Sequence, residues 1–188
     1  MSEIPTVQEM ENFHFSRTKY HISLVGKYCI RIFVYDSERF NGILERANEH
    51  DQTKFHEPEK TPYLYISWFY KCKKEGKDFE IPSDMKDKAN EATLHHVLNV
   101  KNRHHPEFHC GIEHGLINNK NRDEPIESVI DATKMSDLDI GEMVADWEAV
   151  SEERGNTPKN WADKNINVRW RFTDKQKILI YDLIDKTW

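Results

Sequence analysis

Ten of the 188 residues are histidine, and six of the ten fall between His95 and His114. That is about twice ordinary usage, and imidazole at such density does chemistry only if carboxylates or cations join it. Three places in the chain supply them. The first is the stripe Val7, Met10, Phe13, His14, Arg17, His21, Leu24, Val25 and Tyr28, which repeats with helical spacing and carries His14, Arg17 and His21 among apolar neighbours. A core histidine bonded to a carbonyl accounts for one such ring. Burying Arg17 unpaired would cost several kcal/mol, so the stripe predicts an anion facing it, either a carboxylate of the protein or a ligand phosphate.

The second place is the adjacent pair His50-Asp51, at the end of an expected helix. Neighbouring side chains reach one cation only where the backbone turns. Imidazole nitrogen with carboxylate oxygen suits Mn, Fe, Co, Ni or Zn; the plainer reading is a solvated helix terminus. The third is Asp146 in Gly141-Glu142-Met143-Val144-Ala145-Asp146-Trp147, where Met143 and Trp147 set it on the margin of an apolar face, with Glu142 one turn earlier. A surface acid paired with Lys or Arg is the simpler alternative.

Between these places lie His95-His96 and His104-His105. Helical periodicity turns His96 inward, and either ring of the second pair can follow because it sits at a helix end. A local zinc site from His105, His109 and Glu113 at i, i+4 spacing is the competing reading. It lacks an H-E-x-x-H, and Pro106 and Gly111 leave little helix to carry it. No G-x-S-x-G and no Gly-rich phosphate loop occurs.

Helices must position these residues. Few windows alternate, and i, i+3, i+4, i+7 recurs throughout, which predicts an all-α chain forming a single domain over 1–188. The stripe from Val7 is a long first helix. A second runs roughly Glu38 to Asn48, and a third spans the aromatics Tyr63 to Tyr70 and closes at Lys73, Lys74 and Gly76. A fourth starts at Ser83 or Asp84 and carries Met85, Ala89, Ala92, His96 and Val100. Ser136-x-x-Asp139 and Thr173-x-x-Gln176 are capping boxes for two more. Segments 101–125 and 151–172 read as loops.

Taken in order, His21 … His50-Asp51 … Asp146 resembles the H…HD…D ligand set of the HD-domain superfamily of metal-dependent phosphohydrolases. More narrowly, His50-Asp51-x-x-Lys54-Phe55, Asn102-x-His104-His105-Pro106-Glu107 and Glu142-Met143-x-x-Asp146-Trp147 look like a small HD-like family of short bacterial and phage proteins. The resemblance implies a helical fold with a metal site between helices, and His21, His50, Asp51 and Asp146 as ligands of one divalent ion (Mn, Co, Ni, Fe, Zn or Mg). His96 and His105 would serve a second ion. It implies hydrolysis of a small phosphate ester, such as a nucleotide or nucleoside monophosphate. Asp146, Glu142 and Lys54 are the catalytic candidates, and Arg17, Lys54, Arg103 and His104 the substrate contacts. Trp68, Phe69 and Trp147 are candidates for stacking on a base. Many HD hydrolases have a Glu a turn after the HD pair, where this chain has Lys54. The alternatives are an HD-fold di-iron oxygenase, and a non-catalytic protein that binds a nucleotide or partner.

Composition narrows the classes further. The net charge is −6 and the pI about 5.9. No basic run offsets that charge, which disfavours a broad nucleic-acid or anionic-membrane surface. Apolar stretches are too short to span a bilayer, and the first residues lack a signal-peptide pattern. Cys29, Cys72 and Cys110 form no C-x-x-C, so reduced thiols and a cytoplasmic location are expected. A homodimer is compatible with all of this.

Overall fold

Thr6 opens the longest helix by exchanging hydrogen bonds with Glu9, three residues on. Helix α1 then runs Val7–Tyr35. The computed structural model describes residues 5–110 and 129–188; Glu113 and His114 lie outside them. Next come α2 (Ile43–Glu49), a 3-10 turn (Gln52–Phe55), α3 (Lys60–Lys74), α4 (Ser83–Leu98), a 3-10 turn (Val100–Asn102) and α5 (Pro106–Cys110). Beyond the undescribed segment stand α6 (Asp137–Arg154), α7 (Pro158–Asn165) and α8 (Asp174–Thr187). The fold class is all-α. Two-residue strands β1 (Ile130–Asp131) and β2 (Trp170–Arg171) add one short parallel pairing, Ile130 opposite Trp170.

Both predicted capping boxes form. Ser136 accepts from the Asp139 amide while the Asp139 carboxylate takes the Ser136 amide, and Thr173 with Gln176 does the same. Segment 151–172 departs from its loop reading: α6 continues to Arg154, and Thr157 caps α7 with Pro158 in its first turn. Segment 101–125 likewise holds α5 within its described part.

The chain divides into two compact units, each of discontinuous stretches. The first comprises Met1–Tyr20 and Asp51–His96, the second His21–His50 and Val97–Trp188. In the first, Met10, Leu64, Cys72, Ala89 and Ala92 are buried, and half-buried aromatics pack edge-on around them, Phe13 on Trp68 and Phe15 on Phe55, while Lys60 pairs with Glu11. In the second, α6 is the central element, with 11 of its 18 residues buried. It packs against α2, α7 and α8, with Val25, Ile32, Phe40, Ile43, Ile140, Val144, Ile180 and Leu183 in the core. Gly141 permits the approach of α2, since a Cβ there would stand 2.9 Å from the Phe40 ring and 3.0 Å from Ile43 Cδ1. That closeness brings α2's C-terminal end against the polar residues of α6.

Candidate metal centre

Within α6, Glu142, Asp146 and Glu153 recur at helical spacing and line one stripe of the helix. Each meets an imidazole of the second unit. His21, from α1, lies between two of them: its Nε2 is 3.1 Å from Asp146 Oδ1 and its Nδ1 is 3.2 Å from Glu153 Oε1. A neutral ring carries one N–H. If Nδ1–H donates to Glu153, the bare Nε2 faces a carboxylate oxygen at contact distance. Two acceptors so placed need a cation, a ring proton or a metal ion, to hold them together. Burial alone would raise the Asp146 pKa, but the His21 ring, then His50 and His104, hold it well below the usual carboxylate range.

His50 caps the C-terminal end of α2 and is fully buried. Its Nδ1 is 2.9 Å from Glu142 Oε1, which accepts a hydrogen bond from Nδ1–H. The other Glu142 oxygen accepts from Arg46 Nε at 2.6 Å, and Arg46 Nη1 donates to Asp139 at 2.8 Å. Arg46 stands one turn before His50 on α2, so one helix supplies both the imidazole and the charge that balances its carboxylate. His104, 1% exposed, brings its Nδ1 to 3.1 Å from the same Glu142 oxygen. Burial would raise the Glu142 pKa, yet His104 and His50 hold the carboxyl far below its ordinary value.

Ligand atoms of His21, His50 and Asp146 all lie within 4.8 Å of one another. Two imidazole nitrogens and one carboxylate oxygen make a donor set suited to a divalent transition ion, and three protein ligands leave a position for water. Both rings are backed by a carboxylate at Nδ1, the arrangement that fixes the tautomer of a metal-bound histidine. The donor chemistry fits a metal.

Asp51 belongs to the first unit. The backbone turns there, with Asp51 in the left-handed region at φ 58°, which Asp tolerates better than most side chains. Its carboxylate meets Lys54 Nζ at 2.6 Å and His96 Nε2 at 3.2 Å. Buried Glu59 holds the Nδ1 atoms of His95 and His96 at 2.7 and 2.9 Å and accepts from Thr53. His96 is therefore a second imidazole set between two carboxylates. His14, buried in the same unit, differs. Its Nε2 donates to the Lys54 carbonyl and its Nδ1 accepts from the Ser67 hydroxyl, a satisfied core histidine carrying the opposite tautomer.

The remaining candidate residues stand in varied surroundings. Arg17 is exposed rather than buried on the stripe. The anion inferred to neutralise a buried Arg17 is thus not required. Trp147 stacks on Trp170 at 5.6 Å within the core and offers no face to a base. Glu142 is fully buried against His50, His104 and Arg46. Arg103 is half exposed, 3.6 Å from Asp139 and over the Phe108 ring. His105 packs its ring against His104 at 4.1 Å. Sequence reading missed Glu153, Arg46 and Glu59. For Glu153 a signal existed, since it stands two turns beyond Asp146 on the same helical stripe; for Glu59 none did.

The family model described as "Family of unknown function (DUF5662)" matches residues 10–186. No curated protein and no solved structure matches the chain.

Proposed function

The chain belongs to the DUF5662 family of unknown function, and on that premise we propose that it is a divalent-metal-dependent phosphohydrolase acting on a small phosphate ester, a nucleotide or nucleoside monophosphate. One observation carries this reading: His21 lies between Asp146 and Glu153 in contacts that call for a cation, with His50 within coordination distance and backed by Glu142. The sequence order His21 … His50-Asp51 … Asp146, which resembles that of HD hydrolases, supports it.

His21 and His50 would hold the ion through Nε2 and Asp146 through its carboxylate. Such an ion lowers the pKa of bound water towards neutrality and polarises a phosphoryl oxygen. The protein's own groups do the rest. Glu153 and Glu142 keep each ring's proton at Nδ1, and Arg46 balances Glu142 so that the buried acid stays ionised. Arg103, half exposed and adjacent in sequence to His104, is one guanidinium this unit can offer to a phosphate.

Elemental analysis of the purified chain, paired with phosphate release from a panel of phosphomonoesters, tests the proposal. The expected result is one transition ion per chain and turnover that His50→Ala abolishes together with the metal. Full metal occupancy in His50→Ala, or no phosphate release by the loaded wild type, overturns it. The second imidazole between carboxylates, His96, favours one alternative, an oxygenase with two irons; two irons per chain with a redox-active spectrum would favour it instead.

A further inference from the structure

A metal takes whichever imidazole nitrogen lacks a proton, so a histidine becomes a ligand only when something holds its proton on the other nitrogen. In the second unit that role falls on two carboxylates of α6. Glu153 lies at Nδ1 of His21, and a single oxygen of Glu142 lies at Nδ1 of both His50 and His104. The His50 and His104 rings are 4.3 Å apart between centroids, inclined by 37°, with candidate ligand atoms within 4.8 Å of one another. Both are buried to 1% exposure or less, so water does not scramble their tautomers. Arg46 fixes the Glu142 carboxylate from its far side and leaves Oε1 for the two rings.

We propose that Glu142 and Glu153 are positioning residues that turn Nε2 of His21 and His50 towards one centre with Asp146, Glu142 setting the tautomer of the neighbouring His104 as well. They thereby bias the centre towards zinc, iron, cobalt or nickel over magnesium. This rests on the metal reading of the preceding subsection and adds to it two orienting acids and a metal class. Two nitrogens and one carboxylate oxygen suit borderline ions that favour imidazole, whereas magnesium demands an oxygen-rich octahedron and keeps its waters. The His14 ring serves as an internal contrast, since its proton sits on Nε2 by the same logic of partners.

The test uses the full chain with nitrogen-15-labelled histidine. Imidazole correlation spectra of metal-free protein at alkaline pH should show Nδ1–H rings at His50 and His104 and an Nε2–H ring at His14. Zinc titration should give binding that a thousandfold excess of magnesium does not displace. Glu142→Gln and Glu153→Gln should each weaken zinc binding about 10–100-fold, while far-ultraviolet dichroism stays that of the wild type. Glu153→Gln guards against misfolding of the more buried variant, since Glu153 touches His21 from the margin of the site. Nε2–H rings at His50 and His104, or zinc bound equally by wild type and both variants, overturn the inference. A wild type that takes no zinc yet keeps Nδ1–H rings overturns the metal reading and supports the orienting role alone.

Discussion

Arg46 is the most exacting test of the interior of the second unit. Its guanidinium forks onto two carboxylates, Asp139 at 2.8 Å and Glu142 at 2.6 Å, whose side chains are each 1% exposed. Replacing it with alanine removes two charge-assisted hydrogen bonds, each worth about 1.5–3 kcal/mol. That sum overlaps the loss of about 3–5 kcal/mol expected when one partner of a buried pair is removed. Asp139 keeps its Ser136 cap, and Glu142 keeps His50 and His104, so the lower end applies. The expected loss is about 3 kcal/mol, and at roughly 2–4 °C per kcal/mol for a chain of this size Tm falls by about 6–12 °C. Arg46→Lys should lose about half as much, because an ammonium cannot span both acids. Urea unfolding followed by circular dichroism in the presence of a chelator measures both without a metal contribution. A loss below about 1 kcal/mol in Arg46→Ala, the scale of a solvated surface pair, would refute the reasoning.

Two further outcomes follow from the packing. Burial pushes the His14 pKa down to about 4 from its ordinary 6.5, so the folded protein favours the neutral ring. This contribution is full above about pH 6.5 and is lost as pH falls towards 4, up to about 3 kcal/mol. Wild type should therefore lose more stability than His14→Gln between pH 7 and 4; parallel curves would show that the ring titrates normally. Gly141→Ala should destabilise by about 1–2 kcal/mol, because displacing the buried Phe40 ring outweighs the helix propensity gained. A Tm at or above wild type would show that Phe40 yields without cost.

Much of this molecule was legible along the chain because its causes are local. The Ser136 and Thr173 boxes formed where their spacing placed them, since a cap bonds only to its own first turn. Apolar periodicity likewise gave α3 and α4 to within a few residues and the start of α1, which runs on to Tyr35, two turns past the stripe's end at Tyr28; the Thr157-Pro158 start of α7 was a local signal equally present but passed over. The order of the candidate ligands could be read in the same way, because it is a matter of residue type and sequence position.

Tertiary structure decided what those residues face. His14 and His21 share one stripe of one helix, yet Ser67 and a carbonyl make the first a core ring, while Asp146 and Glu153 make the second a candidate ligand. Arg17, between them, turns to solvent. Nothing near His50 in sequence announces that Glu142 will hold its proton, nor that the same oxygen will meet His104. An imidazole's tautomer and a carboxylate's charge depend on atoms within about 3 Å. For these residues the chain brings such atoms from dozens of positions away, so only the packed fold sets them.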